Sequence, residues 1–301
     1  MILSNILDGS DITQKYEILN EQEIDTLGLV VTDLESTFCT FLDDDKYLGV
    51  ISEKARMIIT KKEIAEQLLR LGKGVCIVEE PRLFFFLLHN YLCSINTYVR
   101  ERFKTIIGEG CNISNLSSIS NENIIIGKNV IIEEFVVIRE NTTIEDNSII
   151  RAGCVIGGEG YEFKRDEEKI FGVKHVGGVK IGRNVEIQYN SCVDKGVYPY
   201  DNTEVGNYSK IDNLVHIAHG VKVEDNVMIV AQSGIGGRTK IKSGTWIGFG
   251  STISNGIIIG ENSRANIGAV VTKSVENNES VTGNFAIQHK KFIDNLKLSC
   301  K

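Results

Sequence analysis

Two histidines stand three residues apart in the stretch DNLVHIAHGVKV, His216 and His219, in a chain that has five histidines in all. Imidazole titrates closest to neutral pH, so a histidine can accept a proton from a nucleophile and release it again without an extreme environment. One reading of the pair is therefore an active-site base, and the plainer reading is two surface histidines. The choice depends on what structure carries the stretch.

Bulk composition narrows the classes. The chain has 301 residues, enough for two domains with a substantial core. A net charge of −7 gives no general attraction to nucleic acid or anionic membrane. No run approaches the roughly 18 apolar residues that span a bilayer, and the opening MILSNILDGSD has neither the basic nor the apolar part of a signal peptide. Cytoplasmic residence is the expectation. The seven cysteines form no C-x-x-C pair and read as reduced, mostly small buried residues. A metal site is not expected.

The element that carries the histidines has a period of six. From Val205 an aliphatic residue returns at Ile211, Ile217, Val223, Ile229, Ile235, Ile241, Ile247, Ile253 and Ile259. The same register runs back through Val193, Ile187 and Ile181, and an earlier block runs from Ile126 to Ile156. Six does not match a helical period, but short strands joined by turns produce it. One aliphatic per hexad points inward, and the frequent Gly and Asn between hexads accept left-handed backbone. Three strands close a triangular coil, and stacked coils make a parallel β-helix with an Ile and Val ladder as its core. Ile217 then points inward, and His219 is expected to point out.

The period breaks between Ile156 and Ile181. The inserted GGEGYEFKRDEEKIFGVKHVGGV carries Tyr161 and Phe163 and reads as a solvated or ligand-binding loop. A smaller disturbance spans Lys195 to Thr203. Before residue 100 there is no hexad. LGLVVTD, ARMIIT and GVCIVEE read as buried strands; TKKEIAEQLLRLGK and a long segment from Pro81 read as helices. The expected organisation is a mainly β protein with an α/β domain over 1–100, a β-helix over 101–280 and a short helical tail over 281–301.

The stretches VDKG, VGNYSKIDNLVHIAHGVKVEDN and VTGNFAIQHKKF together resemble the UDP-3-O-acylglucosamine N-acyltransferases of lipid A biosynthesis. TFCTFLDDDKYLGVI is similar to that family's uridine-binding segment, and GGEGYEF stands where the family has an S-D-G-F-G loop. The resemblance implies a left-handed β-helix, a homotrimer with sites between neighbouring columns, and acyl transfer from a thioester to the amine of a nucleotide-linked sugar. It implies His219 as the catalytic base and Asp194 or Asp212 as the group orienting the imidazole, with His216 beside them. Gly237 is a candidate backbone donor to the oxyanion. Phe41 and Tyr47 match aromatics that sandwich a base, and Asp44 matches the asparagine that reads uracil, with Lys46 beside it. Arg238, Lys240 and Lys273 are candidates for the phosphates of the acyl donor, and His289 matches a histidine near the thioester. His89 and His175 read as structural.

Three departures shape the expected substrate. The acidic triplet Asp43 to Asp45 replaces the family's asparagine and proline, which leaves UDP or dTDP as the nucleotide. Gly256 stands where the family has a second active-site histidine, and the tail is shorter than the family's carrier-binding helices. These point to acyl-CoA as co-substrate in the biosynthesis of a cell-surface glycan, with no permanently bound cofactor. An acyl-carrier-protein-dependent lipid A enzyme is the near alternative, and a non-catalytic β-helix scaffold or sugar-nucleotide-binding protein the distant one. A carbonic-anhydrase-like zinc site needs three histidines, which this pair does not supply.

Overall fold

The computed structural model describes residues 1–166, 169–283 and 286–299. They fall into two compact units. The first comprises Met1–Lys104, Glu159–Gly178 and Lys195–Asn202, and the second Thr105–Gly158, Val179–Asp194 and Thr203–Lys301.

The first unit is built on five strands, β1 (Glu17–Leu19), β2 (Thr26–Leu27), β3 (Phe38–Leu42), β4 (Ala55–Thr60) and β5 (Gly74–Ile77), in the order β1-β5-β4-β3-β2. Only β1 runs antiparallel to its neighbour. Alternation along β4 divides the core. Met57 and Ile59 face helices α1 (Leu3–Asp8) and α3 (Pro81–Leu92), while Ile58 faces helix α2 (Lys62–Arg70). Pro81 opens α3 at its first turn, where its missing N–H costs nothing. Sequence reading had no element at Leu3–Asp8 or Phe38–Leu42, and it extended the helix from Pro81 past its end at Leu92.

The leading segment of the first unit ends at Lys104, close to the expected boundary at residue 100, but the unit is not contiguous in the chain. The two segments that interrupt the hexads, Glu159–Gly178 and Lys195–Asn202, belong to the first unit. Their Val173, Val197 and Tyr198 are buried in the same apolar cluster as Phe84 and Phe85. Burying those side chains favours this arrangement over two solvated loops. The longer segment is an antiparallel hairpin pairing Phe163–Arg165 with Ile170–Gly172, and it is not a structureless loop.

The second unit is a parallel three-sided column. Among the described residues, three sheets of nine, eight and eight strands run along it, and a strand typically pairs with the strand eighteen residues on, as Ile131 does with Ile149. Most strands have two residues, the first outward and the second inward, so His216 is exposed where Ile217 is buried. Ile126, Ile132, Ile144, Ile187, Ile217, Ile229, Ile241 and Ile259 are among the residues of the interior ladder. The face with Lys210–Ile211 and Met228–Ile229 is here the first, that with His216–Ile217 and Gly234–Ile235 the second, and that with Lys222–Val223 and Lys240–Ile241 the third.

The corners differ in chemistry. At the turn from third to first face, Asn129, Asn147, Asn184, Asn226 and Asn262 hold φ between 54° and 59°, the left-handed conformation asparagine tolerates. The turn from first to second face instead exposes Leu116, Phe135, Tyr189, Leu214, Phe249 and Ile267. Phe135 and Leu214 do so at φ of 60° and 57°, where bulky residues are disfavoured. The helix His289–Ser299 follows the column. Among the described residues no helix is long and apolar enough to cross a membrane, and Cys300 lies outside them.

Candidate active site

His216 opens a strand of the second face, between Cys192 on one neighbouring strand and Gly234 on the other. Its side chain is 52% exposed, and Nε2 lies 2.9 Å from Oδ2 of Asp194, which is buried. The bond to this carboxylate raises the histidine above its ordinary pKa, and partial burial opposes the rise. Burial, and after it the Asp194 charge, favour the neutral thiol of Cys192, so that cysteine is not an activated nucleophile.

His219 sits at the turn from second to third face and is only 7% exposed. The expectation was a side chain facing a cleft shared with a neighbouring column; within this one chain the ring lies against Gly237, one coil on. A Cβ at Gly237 would stand 2.8 Å from His219 Nε2. Arg238 N donates to His219 O at 3.0 Å, and Gly256 N donates to Gly237 O at 2.9 Å, so the two turns are stacked in register. Gly237 therefore has a steric reason to be glycine, independent of any role for its N–H.

The two candidate orienting carboxylates separate. Asp194 holds His216, not His219. Asp212 is spent on the corner: its carboxylate accepts from Asn213 N at 2.7 Å and from Ala231 N at 3.1 Å. That bonding is structural, because it satisfies turn amides that would otherwise lack partners. Neither assignment was legible from spacing. The Cys192 to His216 register is 24 residues rather than 18 because Lys195–Asn202 leaves the column.

The candidate donor-binding residues are dispersed. Arg238 and Gly256 lie at turns with φ of 60° and 71°, and Lys240 is exposed on the third face. Lys273 is exposed near the end of the column, and His289 is exposed on the terminal helix. The neighbouring Lys242 is engaged with Glu224 at 2.6 Å.

In the first unit, Phe41 is half-buried against Phe85 and Phe86, at ring separations of 5.0 and 5.9 Å, and Arg82 lies 5.6 Å above it. Lys46 sits 4.9 Å over Tyr47. One face of each expected stacking ring is thus covered by a cation. Asp44 caps the short 3-10 helix Asp45–Val50 through Lys46 N and pairs with Lys46 Nζ at 2.8 Å. Tyr161 and Phe163 pack together, rings 4.8 Å apart, and remain exposed. Phe163 also borders a cleft of about 420 Å³ with Asp43, Lys61, Glu79, Arg82 and Arg165. Sequence reading missed this cleft because its walls come from four separate segments.

His89 and His175 are buried in the first unit. His89 bridges Tyr98 Oη at 2.9 Å and Lys174 O at 2.8 Å, and burial pushes its pKa down to about 4, which fits a neutral structural role. Among the described residues no group of three His, Cys, Asp or Glu side chains could hold a metal ion.

Comparison with known proteins bears on this geometry. The bacterial transferase hexapeptide family (six repeats) matches residues 123–158 and 202–237, the second block containing His216, His219 and Gly237. UDP-3-O-acylglucosamine N-acyltransferase 2 of Legionella pneumophila (strain Lens) is 42% identical over 89 residues, 30% of this chain and 25% of that protein. UDP-3-O-acylglucosamine N-acyltransferase of Caulobacter sp. (strain K31) is 36% identical over 132 residues, 44% of this chain and 38% of that protein. The chain thus spans about a quarter to two fifths of the length of these curated relatives. Among solved structures, Arabidopsis UDP-N-acetylglucosamine acyltransferase superposes with a TM-score of 0.53 at 22% identity, covering 64% of this chain and 67% of that one. The Campylobacter jejuni UDP-N-acetylglucosamine acyltransferase gives 0.53 at 21%, covering 64% and 77%. At such identity the superpositions speak for the fold alone. The column is a left-handed β-helix whose residues 123–158 and 202–237 match the bacterial transferase hexapeptide family, and the chain is, over less than half its length, similar to the UDP-3-O-acylglucosamine N-acyltransferases.

Proposed function

We propose that the protein is an N-acyltransferase that moves an acyl group from a thioester to the amine of a nucleotide-linked amino sugar. The observation that carries this reading is the pair His216 and His219 inside the matched hexapeptide block, one imidazole held by a buried carboxylate and the other packed on a glycine turn. An amine attacks a thioester only as the neutral base, and transfer requires that its proton leave as the C–N bond forms. His219 is the acceptor in this reading, with the Gly237 amide beside it as donor to the oxyanion. The relatives' names favour UDP-3-O-acylglucosamine as the acceptor, and an acyl-carrier-protein thioester is the donor in that reading. Acyl-CoA-dependent acylation of another amino sugar is the second reading, favoured by Gly256 in place of the family's second histidine. In this reading Lys61, Lys164 and Arg165 of the first-unit cleft are the groups offered to the diphosphate of either nucleotide, beside Asp43, Glu79 and Glu80 of the same lining, with Arg82 paired to Asp43.

A homotrimer accompanies this reading. The exposed apolar side chains from Leu116 to Ile267 support it, because another column of the same chain, with the same rise, can cover them together.

The test is a turnover screen of UDP- and dTDP-linked amino sugars, UDP-3-O-acylglucosamine included, against acyl-carrier-protein and acyl-CoA thioesters of several lengths. Free thiol release and N-acylated product are expected with one pairing, and His219→Ala should lower kcat by about 100-fold or more. Binding of the sugar nucleotide with no turnover for any donor would instead support a scaffold or sensor.

A further inference from the structure

His216 has features that a surface histidine does not need. Its Nε2 is fixed on a buried carboxylate, so the ring cannot turn freely and Nδ1 is the nitrogen left to face a ligand. The strand on its other side carries Gly234, and a Cβ built there would meet nothing within 4 Å. An open slot therefore lies beside the imidazole. The groups that face it are Asp194 and Cys192 from one strand and Gly234 from the other, so the nearby charge is that of Asp194 alone. The outward positions farther along the face, Val155, Thr252 and Val270, are uncharged. His219 is three residues away, so the two Cα atoms are at most about 10 Å apart.

We propose that the two histidines divide the proton traffic of the transfer, His219 taking the amine proton and His216 giving one to the departing thiol. This rests on the acyltransferase reading above and deepens it. The amine nitrogen attacks the thioester carbonyl, the C–N bond forms, and its proton passes to His219. The C–S bond then breaks, its electron pair stays on sulfur, and sulfur takes the Nδ1 proton of His216. Proton exchange through water returns the His219 proton to His216, so no net charge is left. Asp194 is a positioning residue here: it orients the ring and holds it in the protonated form that an acid must have.

The leaving group decides between this role and a structural one. Acyl transfer to the amino-sugar nucleotide active in the screen above is measured with two donors of the same acyl group, the alkyl thioester and its S-phenyl ester. Thiophenol leaves readily without a proton, so it needs no acid. His216→Gln should lose about 100-fold in kcat with the alkyl thioester and less than about 3-fold with the phenyl ester. Asp194→Asn should show the same preference. It should also move the alkaline limb of the pH profile to lower pH, because an imidazole without its carboxylate loses its proton sooner. Equal losses for the two donors would overturn the division of labour while leaving the acyltransferase reading intact. No transfer by the wild type with either donor would overturn both.

Discussion

At the scale of single residues, Gly237 gives the sharpest test of the site. Its backbone φ is not in the left-handed region, so alanine brings no conformational strain, yet its methyl would meet His219 Nε2 at 2.8 Å. Gly237→Ala should therefore fold normally and displace the imidazole. A displacement of this size at a catalytic group costs on the order of 100-fold in rate. We expect kcat/KM to fall by 10- to 100-fold while the thermal midpoint moves little. Unchanged kinetics would show that His219 is not the base. The glycine was legible as a turn residue, but its contact with an imidazole eighteen positions earlier exists only because the coils stack.

Among the elements, the corner turns explain why Asp212 and Asp194 part company. Both stand near a histidine in sequence or in register, and sequence reading treated them alike. Asp212 faces two turn amides, so Asp212→Ala removes two hydrogen bonds to a carboxylate and should destabilise the protein by about 1–3 kcal/mol. The kcat of the remaining folded enzyme should stay within about 2-fold of wild type. Urea unfolding followed by turnover at saturating substrate checks both halves, and a large kcat loss with unaltered stability would return Asp212 to the reacting groups. Asp194 behaves oppositely because its strand ends where the chain leaves the column for the first unit. Its side chain is therefore available to His216 rather than to a following turn.

For the whole molecule, the question is what covers the apolar edge. Phe135 and Leu214 hold left-handed backbone at a cost of about 1 kcal/mol or more each. Asparagine takes that conformation with less strain, as Asn190 does at the same corner, so the large apolar groups at Phe135 and Leu214 suit a surface that a partner covers, while among the described residues Tyr208 is the one such exposed group at the neighbouring corner. Phe135→Asp combined with Leu214→Asp should turn a trimer into monomers in sedimentation velocity, with the circular dichroism of the column preserved. A wild type that sediments as a monomer at micromolar concentration would remove the trimer and any site shared between copies.

The sequence by itself determined the column. Hexad spacing forces one inward aliphatic per short strand, and any chain with that pattern buries it best by stacking coils, so the ladder from Ile126 to Ile259 could be read before any coordinate. The small strand-and-helix domain was legible for the same local reason, through apolar runs and the Pro81 helix start. What only the tertiary structure decided concerns partners distant in the chain. Glu159–Gly178 and Lys195–Asn202 join the first unit because their apolar side chains find a core there. Asp194 reaches His216 and not His219 because removing those residues from the column resets the register between neighbouring coils. A periodic sequence specifies the repeat, whereas the pairing across a break in the period depends on where the excursion is buried.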